Sequence, residues 1–470
     1  MITDLKPYEK YKESGLPWIG KVPAHWEVRQ ARHIGRFIKG VGGTKDDAVP
    51  VGVPCVRYGE LYTTFSYFIR TSKAFIRADR ATDYMPIQYG DVLFAASGEK
   101  IEEIGKSAVN LMEVTAVCGG DVIVLRPSIP VHGPFLGYAL DCRSATIQKA
   151  TMGRGTTIKH IYPGELKSLL FPLPTLAEQE AVVRFLDWAS KRLVRAIRAK
   201  RKVIALLNEQ KQTIIHRAVT RGLDPSVPLK PSGIPWLGDI PKHWDVERIK
   251  NIFRLRTQKS GLAHGKELLS IYTHIGVRPR KDLAQKGNKA SSTDNYWIVQ
   301  KGDLIVNKLL AWMGAVGSSH YDGVTSPAYD ILMPIRPLFS DYYHYLFRTK
   351  LYLQQFKARS RGIMDMRLRL YFDQLGQIPA PVPPVSEQQA IVEFYIESTA
   401  DLRAAISRLE REIDLLREYH TRLVADVVTG KLDVREAAAK LPVEGQAIEP
   451  GELVEDDSEM IEDEITEPVA

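Results

Sequence analysis

Two short stretches of this chain combine small residues with cations in a way suited to a polyanion. Met152-Gly153-Arg154-Gly155-Thr156-Thr157-Ile158-Lys159-His160 is matched, far along the chain, by Arg359-Ser360-Arg361-Gly362-Ile363-Met364-Asp365-Met366-Arg367-Leu368-Arg369. Glycine lets a backbone approach a double helix closely, while guanidinium and ammonium groups neutralise phosphates or reach base edges. Arg154, Lys159, Arg361, Arg367 and Arg369 are therefore candidate nucleic-acid contacts, although a solvated turn with incidental charge accounts for the same residues. Arg57, Tyr58 and Lys100 in the first half, and Lys308 and Trp312 in the second, are further candidates.

Chemistry of other kinds is hard to place. No GxGxxG follows a strand, and HExxH and CxxC are absent. Gly98 to Lys106 echoes a phosphate loop, but six residues separate its glycines where four are needed, so a β-turn is the plainer reading. The aromatic-flanked Asn/Asp-Pro-Pro motif of an amino-methyltransferase is missing too. His25 and His243 each stand beside a tryptophan, Trp26 and Trp244, and read as docking groups rather than bases. No catalytic residue and no metal ligand is assigned.

Composition agrees with a soluble cytoplasmic protein that meets a polyanion. At 470 residues the chain exceeds one ordinary core. No apolar run reaches the ~18 residues of a membrane helix, and the N-terminus lacks the apolar segment of a signal peptide. Three sparse cysteines, Cys55, Cys118 and Cys142, argue for a reducing compartment without disulfides or zinc. The net charge of +8 conceals a split, because Leu441 to Ala470 hold eleven acidic and no basic residues. The rest carries 64 basic against 45 acidic side chains, a net of +19.

The elements that would position the candidate contacts occur twice. SGLPWIGKVPAHWEV (14–28) and SGIPWLGDIPKHWDV (232–246) are identical at nine of fifteen positions. FPLPTLAEQEAVVRFL (171–186) recurs as APVPPVSEQQAIVEFY (380–395), and AVTRGLD (218–224) is echoed by VVTGKLD (427–433). An internal repeat of this length governs the whole architecture. The expected organisation is a globular domain over 1–174 (opener 8–30), a helix over 175–222, a second globular domain over 223–384 (opener 232–248), a second helix over 385–433, and an acidic, disordered tail over 434–470. The globular parts hold short β-rich runs punctuated by glycine, such as Asp91-Val92-Leu93-Phe94 and Asp303-Leu304-Ile305-Val306, with helices over 135–150 and 340–357. The fold class is α+β, with two mainly-β domains joined by two long helices.

Thr175 with Glu178, and Ser386 with Gln389, carry the capping-box spacing at the helix starts, and the first breakers are Gly222 and Gly430. A heptad seam runs through Leu186, Leu193, Leu207 and Ile214, with Ala189, Ala196 and Val203 as companions and Lys200 as an interruption. In the second helix the seam is Tyr395, Leu402, Leu409, Leu416 and Leu423, at a constant shift of 209 residues. Two such helices in one chain pair most readily with each other, as an antiparallel coiled coil. A helix of about 43 residues spans ~65 Å.

The openers, the GD(V/L) strands and the P.P….EQ helix starts together resemble the specificity subunit of type I restriction-modification systems, over nearly the whole chain and in both halves. The resemblance implies a non-catalytic chain that binds no cofactor. Each globular domain would be a target-recognition domain reading one half of a bipartite, asymmetric DNA site, with the spacer helices setting the gap, at most ~19 base pairs for a ~65 Å rod. Partners would be double-stranded DNA, two adenine-N6 methyltransferase subunits docked on the spacer helices, and ATP-driven translocase/nuclease subunits. S-adenosylmethionine, ATP and Mg would belong to those partners. Glu178-Gln179, Glu387-Gln388 and the openers carry over as scaffold; the DNA-reading positions fall where no motif carries over, and the acidic tail departs from the family pattern. The alternative from another class is a coiled-coil assembly scaffold that touches no nucleic acid, which salt-dependent duplex binding would separate from the first reading.

Overall fold

In the computed structural model, which describes residues 5–262, 265–273, 275–282, 293–362 and 367–442, each proline hinge first lies down as a strand against its own opener. Leu170–Leu173 pairs antiparallel with Glu27–Gln30, placing Phe171 opposite Arg29, and Pro379–Val382 pairs with Asp245–Arg248, placing Pro381 opposite Val246. A two-stranded ribbon tolerates these prolines because only one edge of each strand needs donors.

The described residues fall into two compact units, one of 5–200 with 411–442 and one of 201–410, so that the division cuts through both long helices. In the first unit a five-stranded sheet runs in the order Gly35–Lys39, Val122–Pro127, Val92–Ala95, Ser107–Asn110, Tyr67–Ile69, antiparallel except for the last pair. Val92 and Phe94 face a core shared with Phe135 and Leu136 of helix Gly133–Asp141. Leu93 and Ala95 face the opposite core, with Val56, Ala116 and Cys118 from a second five-stranded sheet. Burial on both faces is why this strand is an unbroken apolar run. The second unit repeats the device on a four-stranded antiparallel sheet, Phe253–Leu255, Tyr329–Pro334, Leu304–Asn307, Val316–Ser318. There Leu304 and Val306 face Tyr342 and Tyr343, and Ile305 faces Leu269 and Val277. Each expected helix of the globular parts is two: Gly133–Asp141 and Arg143–Met152, then Ser340–Phe347 and Lys350–Arg359.

The first long helix is continuous over Leu176–Arg221. The second, expected unbroken over 385–433, is divided into Val385–Ser398 and Ala400–Val428. The break lies at buried Thr399, whose hydroxyl donates to the Tyr395 carbonyl at 2.7 Å, a back-bond that bends helices. Within the first unit the helices run antiparallel: Ser190 Oγ meets His420 Nε2 at 2.8 Å and Lys200 Nζ donates to Glu412 at 2.5 Å, so the seam's lysine is held by an ion pair. Within the second unit Ile215, Ala218 and Val219 share a core with Ile391, Val392 and Tyr395. Leu186, Leu193 and Leu423 are buried, whereas Leu207, Ile214, Leu402, Leu409 and Leu416 are half-buried. Ile406 and Ile413 form the more deeply buried line of the second helix, and Val203, expected in the seam, is 44% exposed.

Residues 434–442, expected in the tail, belong instead to the first unit. Val434, Ala437 and Ala438 are buried in the first unit's core, the latter two on helix Arg435–Ala439, and Arg184 donates to the Leu441 carbonyl at 2.5 Å and to that of Pro442 at 3.2 Å. Small apolar residues there make the segment part of the core; the acidic stretch from 443 lies outside the described residues. Among the described residues no helix is long and apolar enough to cross a membrane.

Candidate nucleic-acid interface

Each candidate head is anchored by one acidic residue and one glutamine at the start of a spacer helix. In the first unit Glu178 Oε1 lies 2.9 Å from His25 Nε2 and accepts from the Trp26 indole at 3.2 Å, while its other oxygen accepts from the Thr175 hydroxyl at 3.0 Å. Burial alone would raise this carboxyl; the hydrogen bonds from His25, Trp26 and Thr175 outweigh it and hold the group below the usual range. Gln179 accepts from the His132 amide at 2.9 Å and donates to the Pro174 carbonyl at 2.8 Å. The second unit copies four of these contacts, Glu387 with His243 at 2.8 Å and Trp244 at 2.9 Å, and Gln388 with the Phe339 amide and the Pro383 carbonyl, both at 2.9 Å, while Pro384 stands where the first has Thr175. The histidines are docking groups, and the repeated Glu-Gln pair is a clamp. Only the first capping box forms; Gln389 instead bonds forward to Glu393, and the helix starts after Pro384 without a side-chain cap.

The tryptophans also meet spacer-helix ends. Gly430 has φ +75°, and a Cβ there would stand 2.3 Å from Pro23 and 3.0 Å from Trp26; Gly222, φ +72°, sits against Trp244 in the second unit. The GD(V/L) aspartates are structural too. Asp91 is gripped by Arg126 (2.7 Å) and Asp303 by Arg256 (2.7 Å). Arg336, the sequence counterpart of Arg126, pairs with Glu247.

The candidate contacts divide by how far they are already engaged. Lys159 donates to the Gly155 and Thr156 carbonyls at 2.8 and 2.6 Å, closing its own turn. Lys308 is paired with Asp330 at 3.3 Å, and the Trp312 indole N–H donates to the Leu309 carbonyl with Lys357 4.8 Å from its ring centroid. Half-buried Arg57 caps helix Tyr58–Thr63 through its backbone N–H to Glu60, and Tyr58 is exposed beside it. Lys100 is exposed near Glu103. Arg154, Arg361, Arg367 and Arg369 stand at the surface. The structure brings Arg154 and Lys159 together in one hairpin and joins Arg361 to Arg369 by a backbone bridge, residues 363–366 lying outside the described residues, whereas the remaining candidates sit on separate elements.

Sequence reasoning missed Glu165 and Asp373, which brace Arg154 and Arg361, and the exposed Tyr162 and Tyr371 beyond them. Their signal was present as a near-constant offset between the halves.

Residues 37–204 match the family described as type I restriction modification DNA specificity domain. A type I restriction enzyme specificity subunit, MjaX, assigned in Methanocaldococcus jannaschii, is 27% identical over 248 residues, covering 51% of this chain and 56% of the relative. The EcoKI specificity subunit of Escherichia coli is 23% identical over 172 residues, covering 36% of this chain and 37% of the relative. The chain spans about half the length, or less, of these curated relatives. Among solved structures, a chain from work on complex assembly and conformational transition of the type I R-M system has the same fold, with a TM-score of 0.59 at 16% identity over 87% of this chain and 99% of that one. In these comparisons the chain is similar to type I restriction-modification specificity subunits.

Proposed function

We propose that this chain is the non-catalytic DNA-specificity subunit of a type I restriction-modification complex acting in the cytoplasm. The first head reads one half of a split, asymmetric site and the second head the other half. The spacer helices set the gap and dock two adenine-N6 methyltransferase subunits, and translocase/nuclease subunits complete the complex. S-adenosylmethionine, ATP and Mg are used by those partners, which extract and methylate the adenine that this chain places before them. The observation that carries the reading is the recurrence of the Glu178-Gln179 clamp at Glu387-Gln388, in a chain whose residues 37–204 match a DNA specificity domain. Exposed Leu206 and Leu415 on the spacer helices supply apolar surface for a partner.

The test is to map methylated adenines in a host carrying this chain with its methyltransferase, then to exchange residues 30–170 or 248–379 for those of a relative. One split motif is expected, with only one part changing per exchange. Both parts changing together would sink the one-head, one-half assignment.

A further inference from the structure

We infer that Arg154 and Arg361, each held by a backbone bridge, to His160 and to Arg369, and each with the tyrosine that follows the bridge, grip the sugar-phosphate backbone without regard to sequence and leave base reading to the parts of the heads that differ. The inference rests on the two-headed reading just proposed. It starts from what the two units have kept in common. After helix Arg143–Met152, Arg154 and His160 exchange backbone hydrogen bonds at 2.9 and 2.7 Å; after helix Lys350–Arg359, Arg361 and Arg369 do the same, both at 2.9 Å. A glycine follows the arginine each time. Gly155 has φ +114°, and a Cβ would lie 2.2 Å from the Ile158 carbonyl; at Gly362 it would lie 2.7 Å from that of Arg367. No side chain fits either place.

Each arginine is then braced by a carboxylate from the next short helix, Arg154 by Glu165 at 3.1 Å and Arg361 by Asp373 at 2.8 Å. The next residues, Ile161 and Leu370, are buried pegs, and Tyr162 and Tyr371, one position further, are exposed by 50% and 39%. The side chains of Arg154 and Arg361 remain 75% and 60% exposed. The braces reach one terminal nitrogen of each guanidinium, which has five N–H donors, so the fork is oriented and still able to take a phosphate. Lys159 holds the first loop closed, which fixes the presentation further.

A part present in both heads cannot distinguish two unlike half-sites. Contacts to phosphate and sugar position a protein on the duplex and carry no sequence information. The same part made twice therefore fits the backbone, which is the same at both half-sites.

The experiment uses the full chain assembled with its methyltransferase subunits. Binding to a duplex bearing the methylated motif and to a scrambled duplex is measured across salt for wild type, for Arg154→Ala with Arg361→Ala, and for Arg154→Lys with Arg361→Lys. The alanine pair is expected to lose affinity by the same factor, about 10-fold, on both duplexes. Its log–log salt slope should be shallower by about 2, near 0.9 per phosphate released, with the methylated motif unchanged. The lysine pair, which keeps the charge, should regain most of the slope. A loss confined to the motif duplex, a changed motif, an unchanged slope, or a defect only in methyltransferase assembly would each overturn the inference. If wild type fails to separate the two duplexes, the two-headed reading fails instead; the slope on scrambled DNA still decides the backbone grip.

Discussion

Beneath frames built on the same histidine, tryptophan, glutamate and glutamine contacts, the two units have unlike interiors. Counting back from Arg154 and Arg361 by the same five residues gives Lys149 in the first unit and Phe356 in the second, both fully buried. The Lys149 ammonium donates to the Gly105 and Leu140 carbonyls at 2.7 and 2.9 Å and lies 3.3 Å from Asp141, which also takes Lys106 at 2.6 Å and the Ser107 amide at 3.0 Å. Phe356 instead joins Phe347 and Tyr352, with ring centroids 5.9 and 6.2 Å away. Nearby, Arg348 donates to the Gly314 and Val316 carbonyls and to that of Thr273. The clamps and ribbons aim each head from its base, so the interior above them was free to diverge.

Four measurements would break or sharpen that contrast. Asp141→Ala leaves two ammonium groups facing each other without a carboxylate, one wholly buried; we expect about 3–5 kcal/mol lost from the first unit, read by hydrogen exchange over 91–125, with no change over 304–334. Glu178→Ala and Glu387→Ala each strand an indole N–H, at about 1–3 kcal/mol apiece, each loss confined to its own unit in the same experiment. Equal loosening of both units by either change would show that the clamps are not independent.

Acid should separate the units next. His344 is pushed down to about 3 by burial, then by the charges of Arg348, His320 and Arg278. Its unfolded form takes a proton below its ordinary 6.5, which the folded form refuses, so the second unit loses stability as pH falls from there. The slope from this group is at most about 1.4 kcal/mol per pH unit, and His344→Leu should flatten it in denaturant titrations. Glu178 acts in the same direction but in a lower pH window. Its carboxyl is depressed in the fold, so its contribution is full above its ordinary 4.5 and fades only as pH drops further. Last comes Lys149→Met, expected to cost about 1–3 kcal/mol, because the Gly105 carbonyl loses its ammonium donor while Asp141 keeps Lys106. A collapse of the first unit would mean that the charged interior is indispensable.

What was legible in the sequence is what the two halves share. The openers, hinges and long helices repeat, and the Glu-Gln pairs stand where the clamps form. The charged turns could be seen, whereas their braces, Glu165 and Asp373 shortly after, left only a near-constant offset between the halves. A heptad register read from leucines passed over Ile406 and Ile413, since two apolar lines lie side by side on the second helix and pairing geometry chooses which is deeper. The break falls at Thr399, in a run whose lack of glycine and proline gives a sequence reading no sign of it. The tail was read from its acidic end, and the small apolar residues at 434–438 were swept in with it.

Arg184 holding the Leu441 and Pro442 carbonyls has a consequence for synthesis. The first unit is sewn from the two ends of the described chain, whereas the second is one unbroken length. On the ribosome, which releases the N-terminus first, the later head can be finished while the earlier one still waits for its closing stitch. Translation arrested near residue 430 should therefore leave the first head more open to protease than the second.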